Sequence, residues 1–318
     1  MIYKLVSNRV ERTYRGGSRI EKFTGEKLKA DSSVYYPEDW TASVTTAFGN
    51  SAEKENDGLG RTSDGVLVRD ITGGNLHILV KLLDSDERLV IQAHPTREFA
   101  KMNLNSSYGK TECWYFLECM PDSFVYFGFK RGISREKFID AFNNNDSAAI
   151  ISMMNKIPVK KNDFIFVDGG APHAIGEGCF ILELQEPSDL MVVGERFTPS
   201  GRKISEEKIH MGLGYEKMFD VFDYTGYTLE EVKEKYMPKP KKIAEGVYEI
   251  LGKSLTDKFS MYLLDGNADF VCENPYSVAV VTDGAGTVNA TDVKKGDRLL
   301  ISEKNLSVCG NVKIIVCI

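Results

Sequence analysis

Three short segments hold residue types that could bind a metal ion. Gln92 and His94 stand two apart in IQAHP, Glu112 opens ECWY, and His173 lies in the turn GGAPHAIG. An i, i+2 spacing at a strand end puts the Gln92 and His94 side chains on one face. Two imidazoles, a carboxylate and an amide oxygen form a donor set for Zn²⁺ or a similar divalent ion. The chain has only four histidines, and two of them fall in these segments. The other two lack a matching donor nearby in sequence: His77, in a strand-like run, reads as structural, and His210 as an ordinary helix residue. A histidine in such a turn is more often a satisfied core residue, so the metal reading needs elements that bring the three segments together.

Short strands supply them. Runs rich in Val, Ile, Phe and Tyr, bounded by Gly, Pro, Asn and Asp, occur at Asn75–Leu83, Arg88–Gln92, Glu112–Glu118, Ser123–Phe129, Asp163–Val167, Cys179–Gln185, Ser277–Thr282, Arg298–Ile301 and Val312–Cys317. Many strands joined by tight turns indicate a sandwich or closed barrel, whose mouth can gather distant residues. One interval departs from this. Ser134–Asn155 reads as two short helices, with Ser134 as N-cap and Phe138, Ala141 and Phe142 as the apolar stripe. Another helix is expected near Ser205–Lys217. The stretch VKKNDFIFVDGGA, residues 159–171, is echoed by VKKGDRLLISEK, residues 293–304. Two related barrels, the second degenerate, would explain the echo. The Pro- and Lys-rich MPKPKK stretch suggests a connector between Tyr224 and Lys242, dividing the chain into residues 1–235 and 236–318.

Composition excludes several classes. A net charge of −6 with no long Lys/Arg run argues against a nucleic-acid or anionic-membrane surface. No run of about 18 apolar residues occurs, so no membrane span is expected. Six cysteines without CxxC spacing, and no signal-like apolar run at the start, fit reduced thiols and a cytoplasmic protein.

The segments QAHP, GKTECWY, PHAIG and ELQEPSD, in this order and spacing, resemble the type I mannose-6-phosphate isomerase family in its short bacterial form. The resemblance is continuous from about Leu76 to Asp189 and looser at Arg15-Gly16-Gly17 and Asp39-Trp40. It implies a mainly β chain of two cupin-like jelly-roll barrels, the second degenerate, with a small helical insertion. It also implies one Zn²⁺ per chain, held by Gln92, His94, Glu112 and His173. Lys110 matches a family residue close to the substrate, and Lys81 one implicated in phosphate or active-site contacts.

The implied reaction interconverts mannose 6-phosphate and fructose 6-phosphate through an enediol(ate). Other openings are an isomerase of a different sugar phosphate, and a metal-binding, cupin-like sugar-binding or regulatory protein without turnover. They arise from two departures. Relatives carry an arginine about four residues beyond the Ser-Asp, where this chain has Val193, and many have a serine where it has Val90. Arg196 is the expected catalytic replacement after a local shift, with Arg202 as a substrate-binding companion. The proton-transfer base is left open among Glu183, Glu186 and Asp189, and oligomeric state is not legible.

Overall fold

A computed structural model describes residues 1–28, 35–47 and 57–318. The chain is mainly β, as expected. Its strands form three sheets whose pairings are antiparallel except for Gly226–Tyr227 with Phe129–Lys130. The first sheet runs in the order Arg9–Val10, Glu38–Thr41, Leu79–Asp84, Cys179–Gln185, Glu112–Cys119, Phe164–Val167. The second runs Val192–Val193, Gln92–Ala93, His173–Ile175, Phe124–Lys130, with Met154–Pro158 also on the last of these. Nine strands make the third, eight of them from residues 241–317; Ile2–Lys4, at the other end of the chain, pairs with Leu299–Ile301.

Strand register sorts the first sheet's side chains. Trp40, Lys81, Glu183 and Trp114 are successive cross-strand partners, so they share one face. The alternate row, with Val80, Leu82, Leu182, Leu184, Cys113 and Tyr115, faces the other way. That apolar row packs with Ile250, Leu251, Phe259, Met261, Ile315 and Cys317 in one buried cluster. The first sheet is therefore covered by the third on one face and offers a polar row on the other. Burial on both faces explains why CFILELQ reads as a nearly continuous apolar run.

The helical insertion forms as Arg135–Asn143 and Ser147–Ser152, with the Ser134 side chain accepting from the Lys137 amide. Phe138, Ala141 and Phe142 pack with Phe219 and Phe222. The helix expected near Ser205–Lys217 is two pieces, Glu206–His210 and Tyr215–Phe219, because Met211, Gly212 and Gly214 take left-handed backbone. Within the expected connector lies a helix, Leu229–Tyr236, started by a reciprocal Thr228–Glu231 capping box. The strand expected at Arg88–Gln92 is confined to Gln92–Ala93. Upstream, the Glu195 carboxylate engages the Ile91 amide at 2.7 Å and also pairs with Arg88, in place of a ladder.

The sequence echo is a repeated turn. The Lys160 amide donates to Asp163 Oδ2 at 3.0 Å, and the Lys294 amide to Asp297 Oδ2 at 3.1 Å. Each aspartate then leads into a four-residue strand, Phe164–Val167 or Arg298–Ile301. Among the described residues, no helix is long and apolar enough to cross a membrane.

Candidate active site

Glu112 projects from the first sheet, two residues before Trp114 and therefore on the same polar face. Gln92 and His173 are cross-strand partners in the second sheet, and His94 follows the Gln92 strand. The two sheets bring these side chains together. His94 Nε2 lies 3.2 Å from Glu112 Oε2, His173 Nε2 lies 3.5 Å from Glu112 Oε1, and Gln92 Nε2 lies 3.2 Å from His173 Nε2. One donor atom each from His94, Glu112 and His173 falls within 4.8 Å of the others, and all three residues are buried.

The surroundings fix the donors' chemistry. His94 Nδ1 lies 2.8 Å from the Leu190 carbonyl and His173 Nδ1 lies 2.9 Å from the Ala171 carbonyl. A carbonyl can only accept, so both Nδ1 atoms carry the proton and both Nε2 lone pairs point inward. Burial pushes His94 down to about 3, with the Lys110 charge adding to the effect, and burial lowers His173 as well. The imidazoles are therefore neutral, as metal ligation requires. Trp114 Nε1 donates to Glu112 Oε1 at 3.0 Å, and Oε2 faces the His94 ring at 3.2 Å. Lone pairs from two neutral imidazoles facing a carboxylate repel one another unless a cation is shared among them. This donor set fits a divalent ion.

Lys110 answers part of that demand. Its ammonium lies 2.9 Å from His94 Nε2 and 3.0 Å from Glu112 Oε2. It also lines, with Gln92, a cavity of about 320 Å³, so the donor cluster adjoins the cavity through these two residues. Lys81 lines the same cavity and is buried, 3.1 Å from Glu183 and 3.6 Å from Glu38. Burial alone would lower its pKa, but the Glu183 and Glu38 charges outweigh burial and raise it. Burial holds Glu183 above the usual carboxylate range despite Lys81.

The three carboxylates left open as bases separate clearly. Glu183 and Asp189 line the cavity; Glu186 is tied to Arg97 and to the Thr111 amide.

The two arginines expected at the site are elsewhere. Arg196 stacks on Phe142 and Tyr215, 4.4 and 4.7 Å from their ring centres, and donates to the Tyr215 hydroxyl. It therefore braces the helical insertion rather than the cavity. Arg202 is exposed, lies over Tyr35 and donates to the Thr13 carbonyl. The guanidinium that does line the cavity is Arg12, 3.0 Å from both Glu38 and Asp189 and over the Trp40 ring. Sequence reasoning missed it, because nothing in VERTYRGG marks one arginine among its neighbours. Val193 and Val90 also line the cavity. His77 and His210 lie apart from the donor cluster: His77 Nδ1 is 2.7 Å from the Tyr108 hydroxyl, and His210 packs edge-on against Tyr215.

No family profile matches the chain. The Bacillus subtilis mannose-6-phosphate isomerase ManA is 27% identical over 239 residues, covering 74% of this chain and 72% of that protein. Over about three quarters of its length the chain is thus similar to mannose-6-phosphate isomerases. Its fold matches the crystal structure of the mannose 6-phosphate isomerase from Bacillus subtilis, with TM-score 0.77 and 21% identity, over 100% of this chain and 99% of that one. It also matches a mannose 6-phosphate isomerase bound with zinc and yttrium, with TM-score 0.70 and 13% identity, over 99% of this chain and 98% of that one. The cupin-like fold class is thereby confirmed.

Proposed function

We propose that this chain is a metal-dependent aldose–ketose isomerase interconverting mannose 6-phosphate and fructose 6-phosphate, with zinc as its ion. The observation that carries this is the convergence of His94, Glu112, His173 and Gln92 beside a cavity, in a chain similar to curated mannose-6-phosphate isomerases. His94, Glu112 and His173 hold the ion, and Gln92 contributes its amide oxygen once the side-chain amide is turned. Such an ion supplies Lewis-acid stabilisation of the negative charge that develops on the carbonyl oxygen as the enediol(ate) forms.

The chain's own groups do the rest. Lys110 sits where the cavity meets the donors and offers a cationic hydrogen-bond donor to the same oxygen. Glu183 carries the proton between C1 and C2. Its carboxyl lines the cavity, and burial raises its pKa towards working pH, which suits a group that both takes and returns a proton. Lys81 holds Glu183 in place. Val90 and Val193 in the cavity wall favour a second reading, an isomerase of another sugar phosphate.

A metal assay with a panel of aldose 6-phosphates tests both readings. Stoichiometric zinc with chelator-sensitive turnover of mannose 6-phosphate supports the first. Turnover of another aldose 6-phosphate alone supports the second, and bound metal with no turnover leaves a binding protein. If His94→Ala and His173→Ala keep full metal content and activity, the site is misplaced.

A further inference from the structure

Among the described residues, four cations line the cavity, and three of them are already neutralised. Lys110 is paired with Glu112, Lys81 with Glu183 and Glu38, and Arg12 with Glu38 and Asp189. The fourth, Lys208, lines the cavity from the short helix Glu206–His210 and is exposed, which puts it at the mouth. Among the described residues it has no ion-pair partner. Val90, Val193, Met191 and Ile204 line the cavity with apolar surface and provide no side-chain donor to an anion.

This distribution decides where a phosphate can go. Deep in the cavity, a dianion would lose its water beside Glu38, Glu183 and Asp189, whose cations are already engaged. Like charges a few ångströms apart at low dielectric repel strongly. At the mouth the phosphate keeps most of its hydration, so the exposed Glu11 carboxylate there is screened by water, and the phosphate meets the Lys208 ammonium, a compact point charge suited to it.

We propose that Lys208 recognises the phosphate of the substrate, so that the sugar enters carbonyl end first and its phosphate stays at the mouth. The inference rests on the sugar-phosphate reading above. It goes beyond that reading by naming the residue that separates a phosphorylated sugar from a plain one.

Calorimetric titration of the zinc-loaded protein with mannose 6-phosphate and with mannose tests it. The unaltered protein should bind the phosphorylated sugar more tightly. Lys208→Ala should shrink that preference about tenfold, the scale of one hydrogen bond to a charged group, and Lys208→Arg should largely restore it. A full preference in Lys208→Ala overturns the proposal, as does a preference lost in Arg12→Lys but kept in Lys208→Ala. If the unaltered protein itself shows no preference, the sugar-phosphate reading fails and takes this inference with it. Because Lys208 is exposed, a folding defect is not expected, and unchanged metal content in the variants confirms that.

Discussion

Glu112 is constrained at both oxygens, by the Trp114 indole at one and by Lys110 and His94 at the other. Glu112→Gln keeps an acceptor for Trp114 but removes the charge shared by the metal donors. Zinc retained after dialysis against a chelator should therefore fall at least tenfold in apparent affinity, with little change in fold. Arg196→Ala should behave in the opposite way. Losing its stacking on Phe142 and Tyr215 and its bond to the Tyr215 hydroxyl should cost about 1–2 kcal/mol in urea denaturation, while zinc content and turnover persist. These two residues show what the sequence could convey. Gln92, His94, Glu112 and His173 stood out because the short segments that hold them are distinctive, and Lys81 and Lys110 because they lie in or just before matched strands. Arg196 was misread because one charged residue in a loop carries no address. Arg12 was invisible because the carboxylates that position it, Glu38 and Asp189, lie 26 and 177 residues away.

Among the elements, the best-read feature was the echoed turn, and it also shows where sequence similarity stops. Asn162 and Gly296 occupy the same position in the two copies, just before the turn aspartate, and both have left-handed backbone, with φ of 69° and 91°. Asn tolerates that region, and Gly favours it. Their surroundings differ. A Cβ on Gly296 would come within 2.2 Å of the Phe23 carbonyl oxygen, because the Arg19–Thr24 helix packs against the second copy. Gly296→Asn, although it copies the sister turn, should therefore destabilise by roughly 2 kcal/mol or more, whereas Asn162→Gly should change stability by less than about 1 kcal/mol. Thermal denaturation of the two variants measures the asymmetry. Strands that are bounded by turn residues and buried were legible from pattern, as Cys179–Gln185 and Arg298–Ile301 were. The helices Arg97–Asn103 and Leu229–Tyr236 were not, because their short apolar stripes do not stand out from the loops beside them.

At the scale of the whole molecule, a division near residue 235 follows the chain but not the contacts. Ile2–Lys4 completes the third sheet, and the first sheet's apolar row is buried against that sheet. Arg298 ties the two together. It is 2% exposed, lies 2.6 Å from Asp39 in the first sheet, and also pairs with Glu26 and donates to Ser7. Asp39 is fully buried and adjoins Glu38, which lines the cavity, and Trp40, over whose ring Arg12 lies. Removing one member of a buried pair leaves the other charge uncompensated, at a cost of about 3–5 kcal/mol. Arg298→Met, which keeps the apolar stem and deletes the charge, should lower stability by that amount. The loss should appear as one cooperative transition rather than as early release of the third sheet, because the first sheet cannot keep its apolar row exposed to water. Tryptophan fluorescence reports Trp40 and Trp114 in the first sheet, and far-ultraviolet circular dichroism reports all three sheets. Coincident midpoints in urea, shifted together in Arg298→Met, are the expected result; separated midpoints would mean that the third sheet folds on its own and that Arg298 only decorates the junction.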